Sequence, residues 1–168
     1  METSCLRAVV IGIGNTILTD EAAGVRVVEA LERAYEVPPN VQLIDGGTSG
    51  MEMIEELSNL DILIVVDVVK TGAAPGTVVK ISGDEIPVFF RKKLSPHQVA
   101  LPDVLACLEL LDTMPKEIIV LGVEPVSLEL GMEMTSTVAR QVPVLVEMAA
   151  AELVKRGYAL TARTALVV

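Results

Sequence analysis

Cysteine, histidine and positive charge are all scarce in this 168-residue sequence, and each scarcity removes a class of function. Lys and Arg number 13 against 23 Asp and Glu, a net charge of −10. So acidic a surface repels phosphate backbones, which proteins grip with Lys and Arg, so nucleic acid is not an expected partner. A protein or a small molecule is. The two cysteines, Cys5 and Cys107, lie far apart and outside any CxxC spacing, which argues against a metal knuckle or a disulfide scaffold and favours a reducing compartment. Half of the residues are apolar, yet no long uncharged apolar run exists, so neither a membrane span nor intrinsic disorder is expected. The start, Met1 to Arg7, has no basic stretch leading into an apolar targeting segment, and the run from Ala8 to Ile13 is short and ends in glycine. The expectation is a cytoplasmic globular protein. Classical catalytic signatures are missing too: there is no HExxH, no GxSxG and no GxxxxGK[ST] phosphate loop.

Apolar segments rich in β-branched residues alternate with segments of helical period, with no Ser- or Pro-rich linker and no internal repeat. This pattern predicts a single α/β domain spanning the chain. Its form is a three-layer sandwich, with helices on both faces of a twisted, mostly parallel mixed sheet of about five strands. The predicted strands are Ala8 to Ile13, Val41 to Asp45, Ile62 to Val68, Thr77 to Ile81 and Glu117 to Val123. Several are apolar on both faces, as buried parallel strands are. Helices are predicted from Asp20 to Tyr35, from a Ser49/Glu52 capping box to Ser58, from Leu101 to Leu111, and from Thr135 to Arg156 with a stop at Gly157. Pro143 either kinks the last helix or marks a later start. The turn from Lys70 to Gly76 predicts that the fourth strand folds back on the third as a hairpin. The tail after Gly157 is either frayed or docked.

The chemistry-bearing residues gather after strands. Gly12-Ile13-Gly14-Asn15 follows the first strand where a dinucleotide fingerprint would lie, but Ile17 stands where the third glycine belongs, so a tight strand-to-helix corner is favoured over a nucleotide. Asp67 ends an otherwise apolar buried strand, either as a cap on the next turn or at the strand end where open α/β sheets bind ligands. Glu21, at the start of the first helix, is either an acid favoured by the helix dipole or a functional carboxylate. His97, the one histidine, sits in the loop Ser95-Pro96-His97-Gln98. Topology brings the three to one edge of the sheet. An imidazole with two carboxylates there can bind a divalent transition metal and leave positions for water or substrate. A Ser-His-Asp arrangement would need His97 as its base, with Ser95 a weak nucleophile. Asp45-Gly46-Gly47-Thr48 ends the second strand at the same edge, where its glycines permit either close backbone approach or a turn. Arg91-Lys92-Lys93 is a solvated loop or an attractor for an acidic partner.

These pieces, in their order and spacing, resemble the hydrogenase maturation endopeptidases, which process the large subunit of nickel-iron hydrogenases. The resemblance covers about Ala8 to Arg156 and rests on Gly12-Ile13-Gly14-Asn15, Thr19-Asp20-Glu21 with Gly24, Asp45-Gly46-Gly47-Thr48, Val66-Asp67, Pro75-Gly76-Thr77 and Ser95-Pro96-His97-Gln98. It implies that Glu21, Asp67 and His97 are nickel ligands and that the nickel is supplied by the substrate, a large-subunit precursor from which a C-terminal extension is removed. It also implies substrate recognition by Asp45 to Thr48, and Glu at position 21 is closer to members serving uptake-type hydrogenases. The rival expectation is a non-catalytic, chaperone-like binder of the nickel-loaded large subunit.

Overall fold

The computed structural model describes residues 5–47, 51–92 and 100–164. In chain order the elements are β1 (Ala8–Ile13), a 3-10 turn (Thr19–Ala22), α1 (Ala23–Ala34), β2 (Tyr35–Glu36), β3 (Val41–Gly47), a second 3-10 turn (Met51–Met53), α2 (Ile54–Leu57) and β4 (Ile62–Val68). There follow β5 (Val78–Ser82), α3 (Glu85–Lys92), α4 (Ala100–Leu110), β6 (Glu117–Val123), α5 (Ser136–Ala139), α6 (Val142–Lys155) and β7 (Thr161–Ala162). Five strands form one sheet in the order β3-β1-β4-β6-β5, parallel except for β5.

The alternation of side chains along each strand sorts the core into two halves. Val10, Ile62, Ile64, Val66 and Leu121 face α1 and α6, meeting Val28, Leu31, Leu145, Ala149 and Leu153. Val9, Ile11, Leu63, Val65 and Val120 face the opposite layer, meeting Leu57 of α2 and Leu101, Val104 and Leu108 of α4. Every residue of β1 and β4 is buried, as strands covered on both faces require. The three-layer α/β domain is therefore the one that the sequence predicts. Among the described residues no helix is long and apolar enough to cross a membrane, and Cys5 and Cys107 are not bonded to each other.

The structure corrects the hairpin. β4 is flanked by β1 and β6 on its two edges, both in parallel register, so no edge is left for β5. The Lys70–Gly76 turn instead carries the chain past β6, and β5 pairs antiparallel with β6 as the outermost strand. A half-exposed strand suits that edge: none of the five residues of β5 is fully buried. Smaller differences follow from local geometry. The first helix opens as a 3-10 turn before Ala23, Tyr35 leaves it for β2, and α3 was not predicted. Ser49 of the predicted capping box lies outside the described residues. Pro143 marks a later start, because it sits in the first turn of α6, where its missing N–H costs no helix bond.

Gly157 ends α6 as predicted. Its φ of 88° lets Tyr158 N–H bond Leu153 O at 3.1 Å and its own N–H bond Val154 O at 3.0 Å, the paired closure that favours glycine. The tail then docks: β7 pairs with β2, and Arg163 donates to the carbonyls of Ala34, Glu32 and Tyr35 at the end of α1.

Candidate active site

The strand order creates one crevice. From β1 the chain moves to β3 on one side through α1, and from β4 it moves away on the other side through the Lys70–Gly76 turn to β5. The C-terminal ends of β1 and β4 are thus the topological switch point, where connections part and leave room for a ligand. Glu21 lies in the 3-10 turn that follows β1, and Asp67 is the penultimate residue of β4.

Two glycines let these elements meet. A Cβ on Gly24, in the first turn of α1, would stand 2.3 Å from both Ile13 O and Val66 O, and one on Gly12 would stand 2.2 Å from Gly24 O. No side chain fits either place, so the start of α1 rests directly on the ends of β1 and β4. That contact brings the turn bearing Glu21 against β4. Gly12 and Gly24 therefore serve close packing of helix on sheet, while Gly14, at a φ of 143° and with a Cβ that would stand 1.8 Å from Glu21 O, makes the tight strand-to-helix corner.

Asp20, Glu21, Asp67 and Glu124 are the buried charged side chains among the described residues, and all four lie at this end of the sheet. Two of them, Asp20 and Glu124, clamp neighbouring segments. Asp20, 0% exposed, accepts from the backbone N–H groups of Val126, Ser127 and Thr135 at 2.8–3.0 Å and from Thr135 Oγ1. Next to it, Thr19 Oγ1 donates to Ser127 O at 2.8 Å and its N–H bonds Gly131 O at 2.8 Å. Together they fasten the loop 125–135 to the turn that bears Glu21. Glu124 accepts from Thr71 N–H and Oγ1 at 2.7 and 2.8 Å, which pins the turn before β5. Sequence reasoning passed over both clamps. For Asp20, the signal was the adjacent acid pair Asp20-Glu21, whose members face different work.

Glu21 and Asp67 are the two sequence-predicted candidate residues among these acids. Asp67 Oδ1 accepts the N–H of Val68, the last residue of β4, at 2.7 Å. Thus the structure brings Glu21 and Asp67 to the same edge. His97 and the rest of its loop, with Ser95, lie outside the described residues, as do Thr48 and Lys93. Among the described residues no group of three or more His, Cys, Asp or Glu side chains could hold a metal. Asp45 is exposed at the end of β3. Beyond it the register slips: Asp45 pairs with Gly12 and Gly47 with Ile13, leaving Gly46 as a bulge. A Cβ on Gly46 would crowd Ile11 and Ile13 at 2.8–2.9 Å, and Gly47 has a φ of 43°, so both glycines have conformational reasons. Arg91 is exposed in the last turn of α3.

A family model described as hydrogenase maturation protease matches residues 25–152. The chain belongs to the hydrogenase maturation protease family. It is 42% identical over 162 residues to the hydrogenase 2 maturation protease of Escherichia coli, covering 96% of this chain and 99% of that protein. It is 39% identical to the hydrogenase expression/formation protein HupD of Thiocapsa roseopersicina, over 88% of this chain and 68% of the relative. Among solved structures, the hydrogenase maturating endopeptidase HybD of E. coli superposes with a TM-score of 0.89 at 42% identity, over 94% of this chain and 98% of that one. A nickel-iron hydrogenase maturation protease from Thermococcus kodakarensis superposes with a TM-score of 0.70 at 25% identity, over 88% of this chain and 99% of that one. This maturation protease therefore carries its family's fold over nearly its whole length, with Glu21 and Asp67 at the switch point of that fold.

Proposed function

We propose that this protease removes a C-terminal extension from the nickel-loaded precursor of a nickel-iron hydrogenase large subunit. Its substrate's nickel is the feature it recognises. Glu21, Asp67 and His97 ligate the open face of that ion, one imidazole and two carboxylates being a donor set suited to a divalent transition metal. Asp45, Gly46, Gly47 and Thr48 bind the substrate chain along the neighbouring strand end. The observation that carries this reading is the placement of Glu21 and Asp67, two buried acids, at the one crevice the strand order opens.

In this mechanism the protein contributes rigidity. Gly24 seats the Glu21 turn on β4, and Asp20 clamps it from the other side, so the substrate's metal meets ligands already in place. Ligation fixes the precursor so that its scissile peptide faces water, which is activated by the ion or by a carboxylate acting as base. Two carboxylates and one imidazole make a modest site by themselves, and weak affinity for free nickel suits an enzyme that must judge whether the substrate already holds its metal. The same reading places the reaction in the cytoplasm, with no nucleotide, nucleic acid or membrane involved.

The test incubates the purified protein with large-subunit precursor, nickel-loaded in one tube and nickel-free in another, and weighs the products by mass spectrometry. Loss of a C-terminal peptide only in the nickel-loaded tube is expected. A stable complex without mass loss would replace the protease reading with that of a binder, and equal cleavage in both tubes would remove the role of nickel.

A further inference from the structure

The loop 125–135 presents an unusual surface beside the site. Val126, Leu130 and Met132 are exposed, the last two at 80% and 79%, and Ile17 beside them is half exposed. Ile17 belongs to the same rim because its carbonyl accepts Gly131 N–H at 3.0 Å, while Leu18 bridges Gly131. Acids alternate with these side chains: Glu129 and Glu133 are exposed on either side of Leu130 and Met132.

Exposed leucines alone do not mark a partner. Leu110 and Leu111, at the far end of α4, are exposed as well. What distinguishes the loop is its anchorage. The three backbone N–H groups bonded to Asp20, with the Thr19 bonds to Ser127 O, Glu129 O and Gly131 O, hold it in fixed relation to the turn that carries Glu21. A rigid loop that keeps large apolar side chains in water forgoes the stabilisation of burying them, and a partner that covers them recovers it.

We propose that Ile17, Val126, Leu130 and Met132, with Glu129 and Glu133, form a docking rim for a segment of the protein substrate that carries apolar side chains interspersed with Lys or Arg. The inference rests on the proposed function, whose substrate is a protein presented to the Glu21 crevice. Apolar contacts supply holding energy, and the two glutamates select basic neighbours by charge complementarity and speed encounter. The rim binds without touching the reacting atoms, so it governs affinity for the precursor rather than the chemical step.

The experiment compares wild type with Leu130→Ser/Met132→Ser, Glu129→Gln/Glu133→Gln and the distant control Leu110→Ser/Leu111→Ser, using nickel-loaded full-length precursor. Cleavage kinetics and the dissociation constant are both measured. The apolar double variant is expected to raise KM and Kd about tenfold with kcat little changed, as loss of central apolar contacts does. The glutamate variant is expected to raise them about threefold in low salt, a difference that closes at about 0.5 M salt. Unchanged KM and Kd in the apolar variant, or an equal rise in the control, would overturn the rim. If wild type binds the precursor and does not cleave it, the proposed function fails while the Kd comparison still decides the rim.

Discussion

The two ends of the sheet handle their acids in opposite ways. At the N-terminal end, carboxylates meet cations: Asp61 takes Lys116 Nζ at 2.8 Å and the N–H of Arg7 at 2.7 Å, while Glu117 and Glu152 share Arg156, with Lys80 also on Glu152. Hydrogen bonding from Lys116 and then from Arg7 holds the Asp61 carboxyl below the usual range, and Arg156 does the same for Glu117. At the C-terminal end the acids are more deeply buried, and Asp20 and Glu124 are satisfied by N–H and hydroxyl donors rather than by Lys or Arg. An end closed by ion pairs has its charges neutralised within the fold. At Asp20 and Glu124 the carboxylates instead tie backbone segments together, so that there burial is offset by hydrogen bonds rather than by an ion pair.

Breaking the second arrangement at its chemistry has the largest effect. His97→Ala, Asp67→Asn or Glu21→Gln is expected to lower cleavage of nickel-loaded precursor by about 100-fold or more, the scale of a lost ligand or base, with circular dichroism unchanged. A variant that cleaves at the wild-type rate would remove that residue from the site. Next comes the clamp. Asp20→Ala leaves three part-buried N–H groups without their carboxylate and is expected to cost about 2–3 kcal/mol in denaturant unfolding, with Asp20→Asn losing less. Gly24→Ala is expected to cost about 3 kcal/mol, because its Cβ collides with the backbone carbonyls of Ile13 and Val66 and must lift α1 from the sheet. A near-neutral Gly24→Ala would show that the helix can yield there.

The smallest effect sharpens the comparison at the other end. The Asp61 carboxyl is depressed in the folded state, so its contribution to stability is present above the unfolded pKa of about 4 and is lost as pH falls through the folded value. The pair is solvent-exposed on the Lys116 side, so Asp61→Asn is expected to cost only about 0.5–1 kcal/mol at about pH 7 and almost nothing at about pH 2. Urea titrations at the two pH values measure this, and an equal cost at both would show that packing, not charge, is what Asp61 supplies.

Much of this was legible in the sequence. The doubly apolar strands Ile62–Val68 and Ala8–Ile13 announce a buried parallel sheet because burial on both faces leaves no polar position, and the glycine at 157 announces the end of α6 because few other residues take a positive φ. Asp67 stood out as a charge in an apolar strand. The partner of β5 did not stand out, because a turn states only that the chain reverses, while strand pairing is decided by which edges remain open. The clamping role of Asp20 was equally hidden: two adjacent acids look alike in sequence, and only the returning loop 125–135, more than a hundred residues later, brings Asp20 its donors.

By itself, then, the sequence determined what depends on neighbours along the chain: the alternation of strands and helices, the need for glycine at sharp corners, the acidity, and the residue types able to hold a metal. Tertiary structure decided what depends on neighbours in space. It set the strand order that opens a crevice between β1 and β4, and the helix-to-sheet contact at Gly24 that seats Glu21 there. It also gave Asp20 and Glu124 their clamping roles, because hydrogen-bond donors from distant segments exist for a carboxylate only once the chain has folded around it.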